Sequence, residues 1–326
     1  MKRKSCCLCC AALVGAAGVA APAGAQDSSY PTKPVRIVVG IAAGGGLDTM
    51  TRLGAQKLTE RFGRTFVVDN RPGGGTILGM DIVAHAPPDG YTLLGASDTL
   101  MLNGVFKRAA YDVRKAFIPI VQLTTQPYVL VVNPSLPAKS VKELVALAKA
   151  KPGALSFGSQ GMGTTGHIGW ERFKYMAGVN ILHVPYKGAA PAVIDVMSGQ
   201  IQMTFSNTVT SGAHLRSGKL RGIGFTGSRR TPLFPELPTV AESGVPGFEL
   251  TNSYAYFAPA GTPRGIVRAI NAGVVQGMNS PETVKALAAD GSEVVPAATP
   301  EEFMAKFDRE FRELEKLVRM ANIKLN

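Results

Sequence analysis

Short β-branched runs alternate with helical patterns along most of this chain, and glycine-rich turns join many of them. Val35–Val39 has the pattern of a buried strand. The turn Ala43-Gly44-Gly45-Gly46 follows, and then apolar residues recur at helical spacing from 47 to 62, with Gly63 placed to end the helix. Residues 66–68 are again typical of a strand. Because parallel strands need a crossover connection, this order predicts a strand, glycine loop, helix, strand unit.

The same alternation continues along the chain. Further strands are predicted at 91–94, 128–132, 155–157, 181–184, 201–205, 220–225 and 251–258, and helices at 140–151, 164–177, 190–199 and after 258. Ser140 and Thr299 each begin a capping box, and the proline-rich segment 231–247 is predicted to be a loop. Alternating elements favour open, mostly parallel sheets with helices on both faces. Such sheets bind ligands beyond the carboxyl ends of their strands.

The first 25 residues have the features of a secretory signal peptide. Basic residues at 2–4 precede an apolar stretch at 6–21, and Ala23-Gly24-Ala25 fits the rule for cleavage before Gln26. All four cysteines of the sequence fall inside this segment. We therefore expect a mature chain without thiol nucleophiles, disulfides or cysteine metal sites. No later stretch approaches the roughly 18 apolar residues of a spanning helix, which argues against an integral membrane protein.

Length and charge narrow the class of protein further. The 326 residues suggest about two domains, and an apolar content of 45% excludes a disordered chain. Removing the three cations of the leader from a formal charge of +12 leaves +9. Basic residues after the leader occur in runs no longer than pairs, and the sequence has one Trp, which disfavours a nucleic-acid partner. Two explanations of the positive net charge remain: a solvated basic surface, or a binding preference for a small anionic ligand.

The glycine loop after the first strand is a candidate anion site. Its backbone N–H groups and the helix N-terminus that follows both favour negative charge. It lacks the Lys-Ser/Thr ending of a nucleotide-binding P-loop. The alternative is a tight turn that needs glycine for its backbone angles. Asp48 either faces away as a cap or meets a donor group on the ligand.

Two later loops also open helices. Residues 158–167 contain Gly161, Gly163 and Gly166 in the dinucleotide spacing, but no acidic residue ends the next strand to hold a ribose. The hydroxyls of this loop suit a carboxylate instead. The third loop, 185–191, contains Lys187, which either supplies a charge or is simply solvated.

Catalytic and metal-binding patterns are weak. The four histidines include no pair at metal-ligand spacing on one helix, and no G-x-S-x-G elbow is present. His167, near a helix start, is more typical of a hydrogen-bonded cap or a packing residue. We therefore expect no enzyme, no metal and no cofactor.

At these loops the chain resembles a known family. The segments that carry the resemblance run in order through the mature chain: Tyr30-Pro31 through the first strand, Gly44-Gly45-Gly46-Leu47-Asp48, Asp69-Asn70-Arg71-Pro72-Gly73-Gly74-Gly75, Ala86-Pro87-Pro88-Asp89-Gly90-Tyr91-Thr92-Leu93-Leu94, Gly163-Thr164-Thr165-Gly166-His167-Ile168, His183-Val184-Pro185-Tyr186-Lys187-Gly188, Pro238-Thr239-Val240-Ala241-Glu242 and Ala258-Pro259-Ala260-Gly261-Thr262-Pro263. Together they resemble the Bug family of periplasmic solute-binding receptors, which serve tripartite tricarboxylate transporters.

The resemblance implies a fold and a site. The fold is α/β, a type II periplasmic-binding-protein fold with two doubly wound domains and an interdomain ligand cleft. Domain 1 would comprise 30–127 plus 252–326, and domain 2 would comprise 128–251. The loops at both sides of the cleft would bind a carboxylate, partly through water. The ligand-binding residues implied in this way are Ala43, Gly45, Gly46, Leu47, Asp48, Ser97, Asp98, Ser159, Gly163, Thr164, Thr165, His167, Tyr186 and Asn207.

Three positions depart from the family pattern. Ala43 stands where members usually have proline, and Leu47 replaces a hydroxyl residue, so one donor is missing from the first loop. Ser206 stands where many members have an Asp before the asparagine. Without that acid a ligand with an amino group is disfavoured, and a plain organic acid is expected.

The resemblance also implies a role. It predicts a monomeric periplasmic receptor that closes on a small organic acid and presents it to a membrane permease. Two other roles stay open on the sequence: a ligand-sensing subunit for a membrane kinase, and an extracytoplasmic enzyme acting on a small acid.

Overall fold

The computed structural model describes residues 30–289, 291–295 and 298–320, and the predicted signal peptide lies outside them. The strands in chain order are β1 (Val35–Val39), β2 (Phe66–Asn70), β3 (Thr92–Ser97), β4 (Phe117–Pro127), β5 (Val129–Val132), β6 (Ser156–Ser159), β7 (Leu182–Pro185), β8 (Met203–Ser206), β9 (Arg221–Phe225), β10 (Thr251–Pro259) and β11 (Glu293–Val294).

The helices alternate with these strands. They are α1 (Gly46–Phe62), α2 (Ile77–Ala84), α3 (Thr99–Val105), α4 (Val113–Ala116), α5 (Val141–Ala150), α6 (Thr165–Ala177), α7 (Ala189–Ser198), α8 (Thr208–Arg216), α9 (Arg264–Met278), α10 (Pro281–Ala289) and α11 (Pro300–Met320). A 3-10 turn at Gly74–Thr76 precedes α2.

Local signals in the sequence set several of the boundaries. Gly63 ends α1 in the left-handed conformation, with φ of 64°. The Ser140 side chain accepts a hydrogen bond from the backbone N–H of Glu143 at the start of α5. Thr299 and Glu302 form a reciprocal capping box before α11, as the sequence predicts. The proline-rich segment 231–247 contains neither a helix nor a strand, also as expected.

The strands form two sheets. The first sheet has the order β11-β4-β10-β3-β1-β2, and the second has the order β7-β6-β8-β5-β9. β1 is parallel to β2 and β3, and β6 is parallel to β7 and β8. From Pro31 onward the chain forms one compact unit that contains both sheets.

The expectation of mostly parallel sheets is wrong, because both sheets are mixed. β10 runs antiparallel to β3 and β4, and β5 runs antiparallel to β8 and β9. The chain leaves the first sheet with β4 and enters the second with β5, and it returns with β10. β5 and β10, the two strands that follow a passage between the sheets, are therefore antiparallel to their neighbours. The hydrophobic pattern of a strand does not show its direction in the sheet.

The long strand β4 was not predicted. Pro119 argues against a strand because proline cannot donate to the ladder. In the structure Pro119 lies beside a register shift, where Phe257 pairs with Pro119 although Tyr256 pairs with Val121. The irregular pairing at this point accommodates the proline.

Each sheet has its own hydrophobic core. Phe303, Phe307 and Phe311 of α11 pack with Phe257 against the first sheet. Aromatic rings dominate the core of the second sheet, where Trp170 is fully buried. Among the described residues, none of the helices has the length and apolarity needed to cross a membrane.

Candidate functional site

A small cavity lies where loops from the two sheets meet. The space in which the centre of a water molecule fits has a volume of about 30 Å³. This is enough for one or two waters. Residues from both sheets and their loops form its walls: Ile41, Gly46, Leu47, Thr76, Ser97, Thr99, Tyr128, Gln160, Thr164, Thr165, Ala189, Asn207, Asn252 and Tyr254.

Helix N-termini surround this cavity. α1 begins at Gly46, α6 at Thr165 and α7 at Ala189, and Asn207 caps α8; each of these residues lines the cavity. All four helices follow the carboxyl ends of strands, where ligand sites of α/β sheets are expected. The first N–H groups of a helix have no partner within it, and the helix dipole places partial positive charge there. The cavity is therefore suited to a negatively charged ligand.

The cavity lining contains hydroxyls and amides but no Lys, Arg, Asp, Glu or His side chain. Its two phenols stay neutral at physiological pH. Burial raises the pKa of Tyr254 to about 12, and burial raises the pKa of Tyr128 well above its usual value. Dipoles rather than formal charges thus determine the electrostatics of the lining.

The first glycine loop is fixed by the carboxylate of Asp48, which is buried. This carboxylate accepts hydrogen bonds from the Gly44 backbone N–H at 3.0 Å and from Asn70 Nδ2 at 2.9 Å. It also pairs with Arg52 at 3.0 Å. Burial raises the pKa of Asp48, but the hydrogen bonds from Arg52, Gly44 and Asn70 outweigh it, so the pKa lies below its usual value. Asp48 therefore fixes the loop from within and lies outside the cavity lining.

Hydroxyl and imidazole groups hold both ends of the second glycine loop. The Thr164 hydroxyl caps α6, accepting from the His167 backbone N–H and donating to the Gly161 carbonyl at 2.7 Å. Ser159 Oγ lies 2.6 Å from His183 Nε2, and the Gly163 N–H donates to His167 Nδ1 at 3.0 Å. These bonds hold the backbone of the loop at both of its ends.

Hydrogen bonds join the two sides of the cavity. Asn207 Nδ2 donates to the Tyr254 hydroxyl at 2.8 Å, and the Thr165 N–H donates to Thr99 Oγ1 at 3.2 Å. The Ala42 N–H donates to the Lys187 carbonyl at 2.7 Å. The cavity is thus closed by direct contacts between the loops of the first and second sheets.

Arg108 adds a cation to this junction. Its guanidinium donates to the Met162 carbonyl at 2.6 Å in the second glycine loop and to the Gly74 carbonyl at 3.1 Å. It also donates to Asn103 Oδ1 at 2.9 Å. These three acceptors hold the guanidinium beside the cavity, and Arg108 is not among the residues that line the cavity.

The structure brings together part of the predicted residue set. The predicted residues that line the cavity are Gly46, Leu47, Ser97, Thr164, Thr165 and Asn207. Gly45 is buried next to the cavity as the N-cap of α1, whereas Ala43 is exposed. The binding role of all these residues stays a prediction.

Other predicted residues direct their side chains elsewhere. Asp98 accepts from the Ser253 N–H at 2.8 Å and lines a separate cavity of about 20 Å³ beside Phe307. Burial raises the pKa of Asp98 to about 7. The Tyr186 hydroxyl donates to Asp195 Oδ2 at 2.6 Å. Ser159, Gly163 and His167 bond within the second loop and to His183, as described above.

Several lining residues were not predicted to bind ligand. Asn252 and Tyr254 come from β10, far in sequence from the glycine loops, and no loop motif marks them. Thr76 ends the 3-10 turn and directly follows Gly75, the last residue of a segment that carries the family resemblance. Gln160 and Ala189 lie inside two glycine-rich loops that the sequence did identify, so the loops themselves were the available signal.

Groups that could hold a metal are not found in the part of the chain that the structure describes. There, no three His, Cys, Asp or Glu side chains come close enough together to bind an ion.

Comparison with known proteins shows the family of this chain. A family model described as the tripartite tricarboxylate transporter family receptor, TctC, matches residues 50–321. The chain belongs to the TctC family. The resemblance to Bug receptors is thereby confirmed, and TctC relatives carry that name: the chain is 34% identical over 315 residues to protein BugT of Bordetella pertussis, covering 96% of each chain.

Solved structures of TctC-type proteins have the same fold. R. palustris Rpa4515 with adipate is 35% identical, with a TM-score of 0.85 over 90% of this chain and 99% of that one. MatC (Rpa3494) from Rhodopseudomonas palustris with bound malate is 28% identical, with a TM-score of 0.84 over 89% of this chain and 100% of that one. The predicted two-domain α/β binding-protein fold is confirmed, and the TctC family and these neighbours are solute-binding proteins.

Proposed function

We propose that this TctC receptor binds a small organic carboxylate in the cavity and delivers it to a tripartite tricarboxylate-type permease. One observation carries the proposal: helix N-termini attached to both sheets converge on one cavity whose lining contains hydroxyl and amide side chains and no charged side chain. The adipate- and malate-bound neighbours support a carboxylate as the ligand.

The energetics of such a site are sufficient without a lysine or arginine contact. A charge-assisted hydrogen bond contributes about 1.5–3 kcal/mol, and a helix N-terminus about 0.3–1 kcal/mol. Three of each total about 5–12 kcal/mol, a range that includes the roughly 8 kcal/mol that micromolar affinity requires, before the cost of ordering the ligand. Neutral donors also make ligand release easy, which a transport receptor needs.

The lining favours a plain organic acid over an amino acid. An ammonium group would need an acceptor with negative charge, and the cavity walls include no carboxylate. The side chain of Leu47, which replaces the family's hydroxyl residue, lies in the wall instead. It can contact the carbon chain of the ligand.

Domain closure is the second part of the proposal. We place domain 1 at 30–127 plus 252–326 and domain 2 at 128–251, with the first and second sheets as their cores. The cavity holds one or two waters, so a dicarboxylate enters only if the domains separate. Closure over the ligand would then bring Asn207 toward Tyr254 and Thr99 toward Thr165, with the cleft wider than in this structure by the room that the ligand occupies. The leader at 1–25 would export the protein, as a monomer, to the periplasm.

Isothermal titration calorimetry with adipate, malate, citrate and glutamate tests the binding step. We expect a carboxylate to bind, with glutamate the weakest of the dicarboxylates. At 100 times its dissociation constant the ligand stabilises the fold by about 2.7 kcal/mol, which thermal unfolding measures independently. The absence of binding to every carboxylate would contradict the proposal.

Two adjacent glycines offer a matched pair of variants. A methyl group at Gly46 would overlap the Asn207 amide and lie 2.6 Å from the Tyr254 hydroxyl, whereas one at Gly45 would lie 3.3 Å from Ile41 Cδ1. We expect Gly46→Ala to lower affinity about 100-fold or more, because the cleft cannot close over the ligand. Gly45→Ala keeps the backbone N–H of this predicted binding residue and should therefore change affinity little. Equal affinities in the two variants would place the ligand elsewhere.

The permease step needs a separate assay. Uptake of the identified ligand should depend on coexpression of the receptor with the permease, and Gly46→Ala should abolish it. If uptake persists without the receptor, the proposed delivery to the permease is wrong, whereas the proposed ligand binding is unaffected by that result.

A further inference from the structure

Two histidines outside the cavity hold the second glycine loop from behind. His183 Nε2 lies 2.6 Å from Ser159 Oγ, where the loop begins. His167 Nδ1 accepts the Gly163 N–H at 3.0 Å, where the loop meets α6. The Ser159 hydroxyl in turn accepts the Gly161 N–H at 3.1 Å. The two imidazoles therefore contact the loop at both ends and leave its cavity face free.

The two rings support each other by stacking. Their centroids are 4.0 Å apart and their planes differ by 13°. On its other face His183 stacks on Phe157 at 4.9 Å, and Phe157 stacks on the buried Trp170 at 4.8 Å. The histidine pair is thus the end of a column of rings that continues into the core of the second sheet. Its position is fixed by that core and not by the ligand.

The geometry requires His167 to be neutral. A backbone N–H can only donate, so His167 Nδ1 must carry a lone pair and no proton. Two imidazolium rings stacked at this distance would also repel each other. Neutral rings satisfy both conditions.

The charged groups around the pair act in both directions. Lys174 on α6 and Arg108 after α3 oppose a proton on His167, whereas the Glu171 carboxylate lies 3.8 Å from His167 Nε2 and attracts one. Burial is the largest influence and lowers the pKa of His167 to about 4, and Lys174 and Arg108 add to this. Burial and the neighbouring His167 lower the pKa of His183 to about 4, against the influence of Glu171.

We propose that His167 and His183 are positioning residues for carboxylate binding: the two rings hold loop 159–164 so that α6 presents Thr164 and Thr165 to the cavity, and a proton on His167 Nδ1 breaks its bond to the Gly163 N–H, releases the loop and weakens ligand binding. This inference rests on the proposed carboxylate-binding function. It makes the receptor's affinity depend on external pH through residues that do not contact the ligand.

Variants that separate hydrogen bonding from protonation test the proposal. The amide oxygen of Asn can replace a histidine Nδ1 acceptor, and the Gln amide can replace Nε2, but neither takes up a proton near neutral pH. His167→Asn and His183→Gln therefore keep the contacts and remove the titration. His167→Leu and His183→Leu remove both. His85→Asn, at the end of α2 in the first sheet's layer, is the matched control.

Affinity for malate and adipate is measured by calorimetry at about pH 7 and at steps down to about pH 3.5, which lies below the pKa of about 4 of His167. At neutral pH we expect each Leu variant to bind about tenfold more weakly than wild type, the effect of one lost hydrogen bond. His167→Asn and His183→Gln should recover most of that loss. On acidification the wild type should lose affinity faster than the double variant His167→Asn/His183→Gln, and His85→Asn should follow the wild type. Protonation of the ligand is common to all proteins and cancels in the ratio of their dissociation constants.

The outcomes separate this inference from the function on which it rests. Wild-type affinity in both Leu variants, or a ratio between wild type and double variant that does not change with pH, would overturn the positioning role and leave carboxylate binding intact. Failure of the wild type to bind any carboxylate at any pH would overturn the proposed function itself. If a Leu variant does not fold by circular dichroism, the pH dependence of the double variant decides the question alone.

Discussion

Side-chain hydrogen bonds hold both glycine loops at the cavity, but different chemical groups make these bonds in the two loops. The first is held by a buried carboxylate, Asp48, whose charge is balanced by Arg52. The second is held by hydroxyls and imidazoles, and the Arg108 guanidinium donates to its Met162 carbonyl. Neither Arg52 nor Arg108 lines the cavity, so a bound carboxylate would meet helix dipoles and hydroxyl donors. The comparison teaches that a charged side chain can hold a loop of an anion site without lining the site itself.

The largest expected effect comes from removing the charge in the first loop. Asp48→Ala leaves the Gly44 N–H, Asn70 and Arg52 without their common acceptor. Because Asp48 is buried and Arg52 is half-exposed, the cost comes mainly from the hydrogen bonds that the carboxylate accepts. We expect a loss of about 3 kcal/mol of unfolding free energy, which urea denaturation at neutral pH measures.

Asp69→Ala is the matched control for that variant. Like Asp48, Asp69 forms ion pairs with arginine, in its case with Arg36 and Arg71. Its side chain is more exposed, however, at 23% against 4% for Asp48. It should cost no more than about 1 kcal/mol. Equal losses in the two variants would show that the Asp48 network is no stronger than a surface ion pair.

An intermediate effect is expected at the cation that joins the loops. Arg108→Ala removes the hydrogen bonds to Met162 in the second loop and to Gly74 in the first sheet's layer. The proposed closed form loses these contacts while the ligand's own contacts remain. We expect affinity to fall about tenfold, mainly through faster dissociation, as measured by stopped-flow kinetics.

Arg64→Ala removes the same charge from an exposed position at the end of α1 and is the control for Arg108. An unchanged dissociation rate in Arg108→Ala, or the same acceleration in Arg64→Ala, would mean that this contact does not hold the cleft shut.

The smallest effect is a difference in pH dependence between the loops. The pKa of His167 falls from an ordinary 6.5 to about 4 in the folded protein. Its contribution to stability is therefore complete above about pH 6.5 and is lost as the pH falls toward 4. The pKa of Asp48 lies below 3.8, so the first loop keeps its stabilisation throughout this range.

Urea denaturation at about pH 6 and pH 5 measures this difference. Between these values wild type should lose about 1 kcal/mol more than His167→Asn, near the limit of 1.4 kcal/mol per pH unit for one group. Parallel losses in the two proteins would contradict a neutral, buried His167.

Sequence patterns predicted the elements better than their arrangement. α1 with its Gly63 cap and α11 with its capping box were found because the signals lie within a few residues of each other. β4 was missed because Pro119 is tolerated only by an irregular pairing with β10, more than 130 residues away. The direction of β5 and β10 depends on passage of the chain between sheets, which local patterns do not encode.

The candidate site divides in the same way. The glycine loops were identified from composition, and their helix N-termini line the cavity. The direction of each side chain was not predictable: His167 and Ser159 turn toward His183, and Asp98 turns into a separate cavity. Each of these depends on a partner that is distant in sequence.

The sequence by itself determined most of the strands, which glycines open helices, and the family to which the chain belongs. The strands and helix starts follow from backbone preferences and hydrophobic periodicity, which act over a few residues. Only the tertiary structure decided that Tyr254 and Asn252 meet the glycine loops, that a buried carboxylate holds the first loop, and that two stacked imidazoles contact the second. Burial and pairing with distant groups control protonation and side-chain direction, so those properties exist only once the chain has folded.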